Sequence, residues 1–82
     1  MDAKGSSVLV SAQCRMARAA LDWGIRDLAE RSKISRTTIV RFERGHVAPI
    51  PATLQVLRQT LEEAGVEFTN GDHPGVRLKR AD

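Results

Sequence analysis

Two short helical segments separated by a tight turn constrain the fold of this chain most strongly. Gly24 can cap a first helix over residues 25–32, and two further residues leave room only for a brief turn. Ser35 is a good N-cap for a second helix, over residues 35–44, and Gly45 suits its end. The spacing therefore predicts two helices that pack closely against each other.

A further helix with one apolar face is predicted before this pair, over residues 10–21. Gln13, Arg15 and Arg18 fall outside that face. Residues 1–9 are expected to form a flexible arm, because the polar stretch at their start has no periodicity. The small or apolar residues that recur at helical spacing and define the face are Val10, Cys14, Ala17 and Leu21.

A fourth helix and a β-hairpin are predicted in the C-terminal half. Pro51 suits the first turn of a helix whose leucines recur at helical steps until Gly65 ends it. Residues 66–82 then alternate between apolar and polar types on both sides of a segment rich in turn formers, and they end in a basic tail. The fold class is thus mainly α, with a four-helix domain over residues 10–65 and a short C-terminal hairpin. The apolar face of the hairpin would consist of Val66, Phe68, Val76 and Leu78.

Composition and cysteine content exclude several classes of protein. No apolar run approaches the roughly 20 residues that a membrane span needs. A single cysteine, Cys14, cannot form an internal disulfide, so a cytoplasmic location is expected and the thiol is interpreted as a core group. His46 and His73 lack further ligands at a suitable spacing, and no catalytic constellation accompanies them. We therefore expect no metal, no cofactor and no enzymatic activity.

The second helix of the central pair concentrates positive charge. Three arginines stand against one glutamate between Ser35 and Arg44, in a chain whose formal net charge is +3. A helix-turn-helix unit places its second helix in the major groove of DNA, where polar side chains contact base edges. Double-stranded DNA is thus the predicted partner. The predicted DNA-binding residues are Ser35, Arg36, Thr37, Thr38, Arg41 and Arg44.

Residues 23–45 resemble the core of the Cro/repressor (XRE) helix-turn-helix family. The matching features are a Leu-Ala pair in the first helix, an Ile-Ser-Arg turn, and the ending Ile-x-x-Phe-Glu-x-Gly. The resemblance covers roughly residues 10–64. It departs from the family pattern at Gly24, where a serine or threonine cap is usual, and at Lys33, where glycine is frequent.

The resemblance also implies roles for particular residues. Arg36, Thr37 and Arg41 occupy positions that commonly contact bases. Glu43 occupies a position that commonly pairs with an arginine of the preceding helix over residues 10–21, here Arg18. The C-terminal run is similar to a tail found in many short regulators of α-proteobacterial type.

Two functional hypotheses follow. The first is a transcriptional regulator, a repressor or control regulator, that binds a palindromic operator as a homodimer, since one recognition helix contacts only a few base pairs. The second is a protein-interaction module, antiactivator-like or antitoxin-like, that binds another regulatory protein instead of DNA. The hairpin face could be covered either by the chain's own helices or by a second subunit. We predict dimerisation through Val66, Phe68, Val76 and Leu78.

Overall fold

Four helices and one two-stranded antiparallel sheet make up the computed structural model, which describes residues 9–46, 49–70 and 72–79. The predicted fold class is confirmed. Most of the predicted N-terminal arm and the end of the basic tail lie outside the described residues. In chain order the elements are α1 (Ser11–Leu21), α2 (Ile25–Ser32), α3 (Arg36–Glu43), α4 (Pro51–Glu63), β1 (Val66–Thr69) and β2 (Gly75–Leu78).

Local interactions define the boundaries of α2 and α3. The backbone N–H of Gly24 donates to Asp27 Oδ2 over 2.8 Å, so a side chain inside α2 caps its own start. Lys33 ends α2 in the left-handed conformation, with φ of 64°, and its N–H donates to a carbonyl of the last turn. The hydroxyl of Ser35 then accepts the N–H of Thr38 over 3.1 Å, which is a normal N-cap.

One hydrophobic core joins the helices and the hairpin. α2 and α3 contribute Leu28, Ile39 and Phe42, so the predicted inner side of α3 is confirmed. Through this core α3 contacts α1 and α2. The opposite, outer side of α3 is exposed. The buried apolar residues are Leu9, Cys14, Ala17, Leu28, Ile39, Phe42, Leu57, Leu61 and Val66.

The start of α1 differs from the prediction. Leu9, assigned to the flexible arm, is buried in the core, whereas Val10, assigned to the apolar face, is 39% exposed. Val10 is the N-cap and has extended backbone angles, with φ of −98° and ψ of 158°. Because Val10 lies outside the helix, helical spacing does not predict its burial. The prediction therefore placed Val10 on the apolar face and Leu9 in the arm, whereas in the structure Leu9 is the buried residue.

Gln13 is the second correction in α1. It was placed outside the apolar face, yet it is fully buried. Its Nε2 donates to the carbonyls of Thr69, over 2.8 Å, and Gly75, over 3.1 Å, while its Oε1 accepts the N–H of Val10 over 3.2 Å. The amide thus joins α1 to the ends of both strands, and these bonds offset the cost of burying it.

The hairpin packs on the helices of its own chain. β1 and β2 pair in an antiparallel register that places Val66 opposite Leu78 and Phe68 opposite Val76. Val66 is only 1% exposed, and Phe68 and Val76 are partly buried against the core. Leu78 differs from the other three, since 51% of it is exposed. The helices α1 and α4 therefore cover most of the predicted apolar face.

Candidate nucleic-acid interface

Helix α3 has a buried side and an exposed side. It has eight residues, and an α-helix with its side chains is about 10–12 Å across, which fits the roughly 12 Å width of the major groove. Ile39 and Phe42 attach the inner side to the core. Arg36 and Arg41 are exposed, and their spacing of five residues places them about 140° apart around the helix axis. Both can therefore extend from the outer side toward one ligand.

The six predicted DNA-binding residues fall into two groups. Ser35 and Thr38 are engaged with each other: their hydroxyl oxygens are 2.9 Å apart, and Ser35 also caps the helix. The other four side chains are exposed and form no hydrogen bond or ion pair with any other residue that the structure describes. They are Arg36, Thr37, Arg41 and Arg44.

Arg18 and Glu43, which the resemblance pairs, are in contact in the structure. Arg18 Nε lies 2.7 Å from Glu43 Oε2, and Arg18 Nη2 lies 2.6 Å from Glu43 Oε1. The hydrogen bond to the Glu43 carboxylate raises the pKa of the Arg18 guanidinium, so this group stays charged. The remaining Nη1 donates to the carbonyl of Trp23 over 3.1 Å. This two-bond ion pair fixes the end of α3 against α1.

Two more residues of α1 contact Glu43. Arg15 Nη1 donates to the backbone carbonyl of Glu43, in the last turn of α3. Burial raises the pKa of the Cys14 thiol, and the neighbouring Glu43 carboxylate raises it further, so the thiol is neutral. The contact of Arg15 was not predicted from the sequence. A signal for it existed, because Arg15 and Arg18 are three residues apart and share one side of α1.

The corner between α1 and α2 is held by Trp23. It is partly buried against the core, and the guanidinium of Arg31 lies 4.6 Å from the centre of its ring. This position agrees with a packing role at the corner. His46 and His73 are both exposed, and no group of three possible metal ligands occurs within the described ranges.

No helix among the described residues is long and apolar enough to span a membrane. The search of curated proteins finds no match. The family model for helix-turn-helix domains of the Cro/C1 type (HTH_3) matches residues 15–67, from α1 into β1. That is a family of DNA-binding regulatory domains, not typically of enzymes. The chain belongs to the Cro/C1-type helix-turn-helix (XRE) family and is a DNA-binding regulator.

Proposed function

We propose that this protein is a sequence-specific repressor that binds a palindromic operator as a homodimer through α3. One observation carries the proposal. The outer side of α3 presents Arg36, Thr37, Arg41 and Arg44, all exposed and without a partner among the described residues, while the inner side of the same helix is fixed by the core and by Glu43. A rigid helix with unpaired cations suits a polyanion whose groove admits one helix.

The four exposed residues divide by position. Arg36 and Arg41 lie within α3, where a guanidinium can donate two hydrogen bonds to a guanine edge. Thr37 lies in the first turn and suits a hydrogen bond or methyl contact with a base. Arg44 follows the last helical residue and suits a phosphate beside the groove, because it lies where the chain leaves the helix.

The experiment is a selection of bound genomic fragments with the purified protein, followed by a salt titration on the best site. Arg36→Ala and Arg41→Ala should weaken binding to that site, and Arg44→Ala should weaken binding to it and to unrelated DNA alike. Arg58→Ala is the charge-matched control, because Arg58 lies on α4, which packs on α1, α2 and β1. Failure to enrich any fragment would favour the protein-interaction module instead.

The dimer contact we propose lies along the outer edge of β2, beside the exposed Leu78. The N–H of Lys79 donates to the carbonyl of Gly65 over 2.7 Å, which makes these two residues a hydrogen-bonded pair. Alternation along an antiparallel ladder then directs the backbone groups of Val76 and Leu78 away from β1. An edge of this kind can pair with the same edge of a second subunit across a two-fold axis, and Leu78 supplies exposed apolar surface.

A point substitution tests this contact, because removing the hairpin would also remove the buried Val66. Leu78→Ser should lower the molar mass measured by light scattering and reduce the preference for a full palindrome over a half-site. Val56→Ser, at an exposed valine of α4, is the control. A Leu78→Ser protein that remains dimeric would place the interface elsewhere.

Repression itself is tested by a reporter gene whose promoter contains the selected site, and activation of that reporter would contradict it.

A further inference from the structure

Helix α1 connects the two elements on which the proposed dimer depends. Among the described elements, α1 alone packs extensively against both β2, the proposed dimerisation strand, and α3, the proposed recognition helix. Arg15 and Arg18 hold the end of α3 through Glu43. Gln13, on the same helix, holds the hairpin. Gln13 and Arg18 are five residues apart, so the two attachments lie within about 8 Å along one helix axis.

The hairpin is attached to the helices at both of its ends. At one end Val66 is buried in the core. At the other end, about 10 Å along the strands, Gln13 binds the last residue of β1 and the first residue of β2. Its Nε2 donates to the carbonyl of Thr69 over 2.8 Å and to the carbonyl of Gly75 over 3.1 Å. One side chain of α1 therefore binds both strands.

These two attachments restrict the hairpin in different ways. The burial of Val66 is an apolar contact without a preferred direction, so by itself it would let the hairpin pivot on the helices. The bonds of Gln13 are directional, because a hydrogen bond weakens steeply as its angle closes. The amide is itself fixed, since it is fully buried and its Oε1 accepts the N–H of Val10 over 3.2 Å. Gln13 thus fixes the angle at which the hairpin lies on α1.

The position of the hairpin matters for a palindromic operator. In a dimer that pairs β2 with β2, the path from one recognition helix to the other runs through the hairpin and α1 of each subunit. The two-fold axis repeats a displacement of the hairpin in both subunits, so the separation of the two α3 helices changes by up to twice that displacement. Successive base pairs are about 3.4 Å apart, so a displacement of about 1.7 Å is enough to move one helix by a base pair.

We infer that Gln13 determines which half-site spacing this regulator accepts. By binding both strands of the hairpin to α1, it acts as a positioning residue for the second recognition helix. This inference rests on the proposed function, and in particular on the dimer through β2. It adds to that function a fully buried residue that can touch neither the DNA nor the second subunit.

A series of operators tests the inference. The selected palindrome is prepared at its own spacing, with one or two base pairs inserted or deleted between the half-sites, and as a single half-site. The wild type should bind best at one spacing. Gln13→Met keeps the length of the side chain but removes its donor and its acceptor. The preference for that spacing should therefore fall by roughly 2- to 12-fold, the factor that one net hydrogen bond supplies, while affinity for the half-site stays unchanged.

Two control variants separate positioning from other effects. Gln55→Met, the same substitution at an exposed glutamine of α4, should keep the wild-type spacing preference. Arg36→Ala should lower the affinity at every spacing by a similar factor, because a base contact acts within each half-site. Urea denaturation checks that each variant is folded under the assay conditions. Gln13→Asn shortens the side chain by one methylene but keeps the amide, and it replaces Gln13→Met if that variant does not fold.

The possible outcomes separate this inference from the proposed function. If Gln13→Met keeps the wild-type spacing preference, the inference is wrong and the proposed function stands. If the variant loses as much affinity for a half-site as for the palindrome, Gln13 supports the fold of the domain and not the spacing. A monomeric variant in light scattering would also contradict the inference, because Gln13 would then be needed to form the β2 edge. If the wild type binds a half-site as well as any palindrome, the proposed dimer fails, and the inference fails with it.

Discussion

The two sides of α3 hold their charged groups in opposite ways. On the inner side, the buried Glu43 carboxylate accepts two hydrogen bonds from Arg18, over 2.6 and 2.7 Å. On the outer side, Arg36 and Arg41 are exposed and bind nothing else within the described residues. The inner charge therefore positions the helix, whereas the outer charge is left available for a ligand.

The energetic consequences of the two arrangements also differ. A buried carboxylate that loses its partner retains the full cost of desolvation. Removing one partner of the Arg18–Glu43 pair should therefore lower the free energy of unfolding strongly. An exposed guanidinium is hydrated by water and contributes little to folding. Substitutions on the inner side should therefore change the free energy of unfolding, and substitutions on the outer side should change binding alone.

The largest effect is expected at the apolar part of the inner side. Phe42→Ala removes a buried ring and leaves a cavity, so the free energy of unfolding should fall by about 3 to 5 kcal/mol. Urea denaturation measures the change, with Val56→Ala, at an exposed valine of α4, as the control. A midpoint close to that of the wild type would show that α3 is not held through this face.

Glu43→Gln should have the next largest effect, a loss of about 3 kcal/mol in the free energy of unfolding. The amide can still accept one hydrogen bond, but it leaves the Arg18 guanidinium without its counter-charge. Glu63→Gln, at an exposed glutamate of α4, is the matched control and should change little. Addition of Arg18→Met completes a double-mutant cycle. A coupling energy near zero would mean that the pair does not hold α1 against α3.

On the outer side, Arg36→Ala and Arg41→Ala should each lose about 1 to 3 kcal/mol of binding free energy at the selected operator. The free energy of unfolding should stay within about 0.5 kcal/mol of the wild type. Fluorescence anisotropy with labelled operator and urea denaturation of the same samples measure both quantities. A variant that loses stability in proportion to affinity would remove the distinction between the two sides.

The smallest effect concerns the backbone between α2 and α3. Lys33 has a φ of 64°, a conformation that glycine adopts at less cost. Lys33→Gly should therefore raise the free energy of unfolding by about 1 kcal/mol and leave operator affinity unchanged. Lys33→Ala keeps the strained backbone and serves as the control. An equal gain from both variants would show that the lysine side chain, and not the backbone, is unfavourable there.

Much of the fold follows from local sequence signals. Gly24 and Ser35 mark the starts of two helices, and the predicted bounds of α2 are those of the structure. The exposed arginines of α3 were also predictable, because Ile39 and Phe42 fix which side faces the core. The contacts of Gln13 were not predictable, since its amide donates to backbone carbonyls of both strands. For Arg15, helical spacing indicated only the side of α1 that it shares with Arg18, and not the carbonyl to which it donates. Side-chain type and helical spacing carry no information about carbonyls that are distant in sequence.

By itself, the sequence determined the four helices, the caps at Gly24 and Ser35, the hairpin and the charged outer side of α3, because caps and periodicity act over a few neighbouring residues. Only the tertiary structure decided which polar groups are buried. Gln13 is enclosed because the ends of both strands close over α1 and offer it two carbonyls. Leu78 is exposed although it lies directly opposite the buried Val66, because α4 packs mainly against β1, the strand of Val66, and not against β2, the strand of Leu78. Burial depends on what packs against a residue, and distant parts of the chain supply that.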